Sequence, residues 1–220
     1  MKAKLFRTLK LIFACAAFMC VFAGCTSEII LELKKDGSVD VVFSGSAGKA
    51  FSAMIYSASG MTPEQAQEAG TAFFDTKEIE YEVGTKGFST IKAVSKNGTD
   101  LTVSMTDKNG KSVLFTSGII SVKDGKLNAC LSPQNLVSFY KTADSQTVMF
   151  LDMLLAPIFN DEQMSQEEYV EVLASFYGEE IAQEMKESSF RITLKNPDGS
   201  QTIQKIKFTK LLTLDETLRF

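Results

Sequence analysis

The segment Ile29-Ile30-Leu31-Glu32-Leu33-Lys34-Lys35-Asp36-Gly37-Ser38-Val39-Asp40-Val41-Val42-Phe43 decides the fold. Ile29, Leu31 and Leu33 alternate with Ile30, Glu32 and Lys34, and Val39, Val41 and Phe43 resume the alternation beyond the Asp-Gly pair. Side chains of a strand point alternately to opposite faces, so the pattern specifies two strands sharing one buried face. Asp-Gly supplies the left-handed backbone that a tight hairpin turn requires.

Four more such pairs follow: Asn97-Gly98, Asn109-Gly110, Asp124-Gly125 and Asp198-Gly199. Each lies between alternating or β-branched segments and predicts a hairpin. The strand pattern continues in Ile79, Tyr81 and Val83, in Leu101, Val103 and Met105, over residues 113–122 and over residues 127–131. A last hairpin is expected from residues 190–194 and 203–208 across Asp198-Gly199.

Helical spacing interrupts this pattern. Ala47, Ala50, Phe51, Met54, Ile55 and Ala58 form an apolar stripe behind Ser46, read as an N-cap. Thr62-Pro63-Glu64-Gln65 and Ser165 to Glu168 read as capping boxes, and Ser132-Pro133 opens a further helix. Tyr169, Leu173, Phe176 and Tyr177 make one apolar side, with Gly178 as the break before Ile181 and Met185. The expected class is α+β: an antiparallel β-meander sheet covered on one face by helices, with a helical insertion before the last hairpin. Residues 25–220 read as one domain, with 132–187 as a helical subdomain.

The N-terminal region carries a different signal. Lys2, Lys4, Arg7 and Lys10 precede an unbroken apolar run over residues 11–23, the n- and h-regions of a secretory signal. Thirteen residues rise only about 20 Å as a helix, against the roughly 30 Å hydrocarbon core of a bilayer. The run closes on Phe22-Ala23-Gly24-Cys25, a lipobox-like tetrapeptide with Phe22 where Leu is usual. Residues 1–24 are therefore expected to be removed and Cys25 to be lipidated with fatty acyl chains such as palmitate, holding the domain on a membrane. That places it outside the cytoplasm, on the periplasmic side or at the cell surface, and Thr26 leaves the choice of membrane open.

Without residues 1–24, Lys plus Arg falls from 23 to 19 against 27 carboxylates, a net charge of −8. Such a balance argues against nucleic acid as a partner and against an electrostatic grip on anionic lipid. Cys15 and Cys20 leave with the signal, so Cys130 is the one remaining thiol once Cys25 is acylated, and no internal disulfide can form. Flanked by Leu127, Ala129 and Leu131, Cys130 reads as a buried small hydrophobe.

The chain contains no His and no Trp, which excludes Ser-His-Asp triads, Cys-His dyads and His-ligated zinc. Two Ser-x-x-Lys matches survive, Ser46 with Lys49 and Ser138 with Lys141, but no Lys-Thr-Gly or Lys-Ser-Gly strand accompanies them. Gly110-Lys111-Ser112 imitates the end of a phosphate-binding loop, yet Met105 stands where such a loop begins with glycine. The carboxylate pairs Glu167 and Glu171, Glu180 and Glu184, and Asp161-Glu162 read as solvated helix faces. No catalytic, cofactor or metal residue is nominated, and the expectation is a protein without enzymatic activity.

Residues 148–159 stand apart, an apolar dodecamer broken only by Asp152, for which Lys141 is a candidate partner. With Met149, Phe150, Met153, Leu154 and Phe159 it is apolar on nearly every side, suiting a buried helix or an adaptable ligand or partner surface.

The lipobox, the strand immediately behind it with its turn Lys35-Asp36-Gly37-Ser38, and the helix-plus-meander body resemble bacterial envelope lipoproteins, including the LppM-like group. The resemblance rests on residues 25–60 and implies a lipid-related envelope role. Three readings follow. The first is an interaction module for another envelope protein, the second a carrier of a lipid or other hydrophobic ligand, and the third a Ser-Lys hydrolase at Ser46.

Overall fold

The first hairpin forms where the sequence places it. Strands β1 (Thr26–Leu33) and β2 (Val39–Ser46) pair antiparallel with Leu31 opposite Val41, and Gly37 takes the required positive φ of 85°. The computed structural model describes residues 26–58, 62, 64–65, 73–96, 98–142 and 164–220. After β2 come α1 (Lys49–Ala58), α2 (Thr76–Thr85), β3 (Ser89–Lys96), β4 (Asp100–Asp107), α3 (Val113–Thr116), β5 (Ile120–Lys123) and β6 (Lys126–Leu131). The chain continues through α4 (Pro133–Tyr140), α5 (Gln166–Tyr177), α6 (Glu179–Glu187), β7 (Ser189–Lys195), β8 (Gln201–Lys207), α7 (Phe208–Leu212) and β9 (Leu218–Arg219).

The fold is α+β. A six-stranded sheet runs in the order β3-β4-β2-β1-β7-β8, and a small one in the order β5-β6-β9. All pairs of the large sheet are antiparallel except β1 with β7, which is parallel. The expected antiparallel meander is corrected in two respects: β5 and β6 leave the large sheet and pair with β9, and the closing hairpin sets β7 parallel beside β1. A parallel pair needs a long crossover, and the chain between β1 and β7 provides it.

Burial follows the period-2 pattern. Ile29, Leu31, Leu33, Val39, Val41, Phe43, Leu101, Val103 and Met105 all face inward and are buried. Their neighbours Ile30, Glu32, Asp40, Val42 and Ser44 are only half-buried on the other face. Phe51 of α1, Ile79 of α2, Leu173 of α5 and Met185 of α6 join the same core. The turns of the β1–β2 and β7–β8 hairpins are built alike. Ser38 N donates to Asp36 Oδ1 at 3.0 Å, and Ser200 N donates to Asp198 Oδ1 at 2.8 Å. Because β1 and β7 are parallel neighbours, both turns lie at the same end of the sheet.

Three expected strands or turns are overturned. Residues 79–83 form part of α2, whose N-terminus is capped by Asp75; its carboxylate accepts from Lys77 N and Glu78 N at 3.2 Å each. Ile79 and Val83, one helical turn apart, are buried, while Tyr81 is 68 % exposed. Residues 113–122 split into α3 and β5, and Asn109-Gly110 leads β4 into α3 without making a hairpin. Ser46 ends β2 and is no N-cap. The amides that open α1 are instead held from far away: Glu184 of α6 accepts Ala50 N at 2.7 Å and Phe51 N at 3.1 Å through its two oxygens. Glu184 is therefore no member of a solvated pair, because its carboxylate lies where the helix dipole favours negative charge.

Other expectations hold. Ser132 caps α4, Ser165 and Glu168 form the capping box of α5, and Gly178 at φ 93° separates α5 from α6. Thr62 and Gln65 exchange the two bonds of their capping box as well.

Candidate functional site

Of the residues singled out by sequence, Cys25 and the apolar set Met149, Phe150, Met153, Leu154 and Phe159 lie outside the described residues, as do Asp152, Asp161 and Glu162. The structure does place what adjoins them. The strand β1 begins at Thr26, the residue bonded to Cys25. On the other side, α5 begins a few residues after the apolar dodecamer and carries the most exposed large hydrophobic side chain among the described residues.

That helix starts firmly. Ser165 Oγ accepts Glu168 N at 3.2 Å and Glu168 Oε2 accepts Ser165 N at 2.8 Å, satisfying two orphan donors of the first turn. The Ser165 backbone and side-chain bonds hold the Glu168 carboxyl below its usual range, so it stays charged. Tyr169 and Leu173 anchor the inner side at 2 % exposure each, and burial raises the Tyr169 phenol so that it stays protonated. The periodicity assigned Phe176 to that inner stripe, but the structure corrects this. Phe176 is 76 % exposed and Val172 is 38 % exposed.

Together with Met164 and Ser175, these two side chains line an open groove of about 470 Å³ whose remaining walls are Glu168 and Glu171. Met164, Val172 and Phe176 make part of its lining apolar, and Glu168 and Glu171 add two carboxylates. Such a surface suits an apolar or positively charged side chain and repels the anionic head of a fatty acid or phospholipid. Glu171 is exposed, as is its partner in the expected carboxylate pair, Glu167.

The loop resembling the end of a phosphate site has a different role. Asp107, 1 % exposed, turns its carboxylate into the loop and accepts Asn109 N at 2.9 Å, Lys111 N at 3.2 Å and Ser112 N at 2.8 Å. The anion for this amide nest is thus part of the chain, and no site for an external phosphate remains on those amides. Burial pushes the Asp107 carboxyl up, but the Ser112 hydroxyl and the three amides outweigh it and hold the group below the usual carboxylate range. Ser112 Oγ lies near enough to favour the charged carboxylate, yet it forms no hydrogen bond of acceptable geometry. The loop is locked from below by Gly87 at φ 85°, where an added Cβ would meet Lys111 O at 2.7 Å. Val113 N also donates to Lys86 O at 2.9 Å, joining the loop to the end of α2.

The remaining candidates are dispersed. Ser46 lies half-buried at the end of β2 and Lys49 is exposed at the start of α1; no hydrogen bond joins them among the described residues. Ser138 and Lys141 are both exposed at the end of α4. Cys130 is half-buried, not buried, because Leu127, Ala129 and Leu131 share its strand but point to the opposite face. Among the described residues no three Cys, Asp or Glu side chains converge as metal ligands, and no helix is long and apolar enough to cross a membrane. Compared with known protein families, with curated proteins and with solved structures, the chain matches none.

Proposed function

We propose that the mature chain is a lipid-anchored bacterial envelope protein that works as a non-enzymatic interaction module, binding a protein partner through the outer edge of α5. The observation that carries this reading is the exposed pair Val172 and Phe176 beside Met164, Glu168 and Glu171. An exposed Phe on a firmly capped helix is a ready anchor for a partner, since aromatic side chains dominate interface energetics at small entropic cost. The two carboxylates add selectivity for a basic or neutral partner surface.

Support for the anchor comes from two sides. The signal-like segment ends on a cysteine, and strand β1 includes the next residue, Thr26. Metabolic labelling with a palmitate analogue is expected to mark the wild type and not Cys25→Ala, which would leave the membrane fraction.

Crosslinking in intact envelopes through a photoreactive residue at position 175 tests the surface. A discrete protein adduct, lost in Phe176→Ser, is the expected result. Adducts to lipid alone would favour the carrier reading, which native mass spectrometry of the purified protein would register as a retained hydrophobic ligand. No adduct of either kind would remove the support for α5 as a binding edge.

A further inference from the structure

The large sheet ends in two edge strands of different build. Along β3 the register shifts between Ser89 and Lys92, Thr90 takes a positive φ of 52°, and Glu80 of α2 accepts Ala93 N at 2.8 Å. Irregular register and a covering helix close an edge to further strands. The other edge, β8, has neither. It pairs with β7 over Gln201–Lys207 without a register shift, and it contains no proline and no residue of positive φ. Asn196 N donates to Ser200 O at 2.9 Å at the turn, and Phe208 N donates to Ser188 O at 3.0 Å at the far end. Hydrogen-bonded pairs alternate along an antiparallel ladder, so Leu194 with Thr202, Ile192 with Gln204 and Phe190 with Ile206 exchange the bonds between the strands. Gln201, Ile203 and Lys205 therefore direct their N–H and C=O groups to the open side, where no hydrogen bond meets them among the described residues.

The side chains along this edge say what suits it. Ile203, 54 % exposed, shares with the exposed Lys205 and Lys207 the face opposite the buried Ile206. Lys205 stands opposite Arg191 of β7, in a pair between ladder bonds where side chains come closest, and Arg191 in turn stands opposite Glu28 of β1. Two like charges directly opposite each other are unfavourable, and Glu28 flanks only one of them. Neither Lys205 nor Lys207 joins an ion pair among the described residues. We propose that β8 is a docking edge that takes an extended segment of a partner protein as an added strand, with carboxylates opposite Lys205 and Lys207 and an apolar residue opposite Ile203. The backbone groups supply the attachment, and the row then reads carboxylate, Lys205, Arg191, Glu28. These contacts span one strand spacing of about 4.8 Å, inside the screening length of roughly 8 Å, so the two lysines and not the net charge of the whole domain set the preference. A second copy of β8 fits less well, because Gln201–Lys207 contains no carboxylate to offer either lysine. The preference is opposite in sign to that of the α5 groove, so the two surfaces take different segments.

The test titrates the full-length chain, isotope-labelled for nuclear magnetic resonance and held in zwitterionic detergent, with the peptide Glu-Thr-Glu-Thr-Ile-Thr-Thr up to millimolar concentration. Paired antiparallel to β8, this peptide sets its glutamates opposite Lys207 and Lys205 and its isoleucine opposite Ile203. Shifted resonances and slowed hydrogen exchange at the amides of Ile203 and Lys205 are expected, with Thr202 and Gln204 changed less. The peptide Lys-Thr-Lys-Thr-Ile-Thr-Thr should bind about fivefold more weakly. Ile203→Pro removes an outward donor and leaves the bonds to β7 in place, so it should abolish the shifts while the core resonances stay where they are. Should that variant fail to fold, Lys205→Glu with Lys207→Glu carries the test, since it must reverse the preference between the two peptides. Absence of shifts at Ile203 and Lys205, shifts confined to α5, equal affinity for the two peptides, or an unreversed preference in the double variant overturns the proposal. Broadening of β8 resonances with protein concentration alone, the mark of a second copy on this edge, overturns it as well.

Discussion

Residues 29–33 and residues 79–83 both alternate apolar with other side chains, yet the first is the strand at the centre of the sheet and the second is a helix. Alternation at 79, 81 and 83 also contains a helical pair, because Ile79 and Val83 stand four apart. What separates the two segments is their borders. Asp36-Gly37 turns the first back on itself, whereas Asp75 ahead of the second accepts two first-turn amides and starts a helix. Tertiary contact adds to this: Glu80 of α2 accepts Ala93 N of β3 at 2.8 Å, covering a donor on the edge strand of the large sheet. An alternating pattern is therefore ambiguous until its ends are read.

The contrast can be broken by substitution. Phe43, fully buried on the sheet, should show the largest effect: Phe43→Ala is expected to cost about 3–5 kcal/mol in chemical unfolding. Next comes the loop that locks the end of α2. Asp107→Asn should cost roughly 2–3 kcal/mol at neutral pH, since it replaces an anion that accepts three amides. The folded Asp107 pKa is depressed, so this stabilisation is present above the unfolded value near 3.9 and fades as pH falls through the folded value. Hydrogen exchange at falling pH should thus open residues 109–112 before the β1–β2 hairpin; simultaneous opening would contradict the assignment.

Smaller effects distinguish a remote cap from a local one. Glu184→Ala exposes the α1 amides of Ala50 and Phe51 and should cost about 2 kcal/mol, with increased exchange at α1. Asp75→Ala removes the local cap of α2 and should cost about 1 kcal/mol by thermal or chemical unfolding. Tyr81→Ala closes the series: 68 % exposed on a helix, it should change stability by no more than about 0.5 kcal/mol. If residues 79–83 were a strand with Tyr81 on the buried face, that variant would instead fall near Phe43→Ala.

The candidate binding edge was only half legible. The capping box at Ser165 and the break at Gly178 fixed α5 to within a residue, because both are local hydrogen-bond or backbone requirements. The exposure of Phe176 was not legible, since helical periodicity places it beside Tyr169 and Leu173. Which part of an apolar stripe is covered depends on how far the packed elements extend. The same holds for Glu184: its spacing from Glu180 suggests a solvated face, and only the packing of α6 against α1 brings it to the amides of Ala50 and Phe51.

What the amino-acid sequence determined by itself is what short-range physics controls. Period-2 burial defined β1, β2 and β4, glycine at positive φ defined their turns, and serine caps defined α4 and α5. The absence of histidine closed off whole classes of chemistry, and the Cys25 signal gave the expectation of an anchor. Tertiary structure decided the rest: the parallel pairing of β1 with β7, the anion supplied by Asp107 and the uncovered Phe176. Each of these joins residues far apart in the chain, so it depends on where the folded backbone brings them, and no local pattern encodes that.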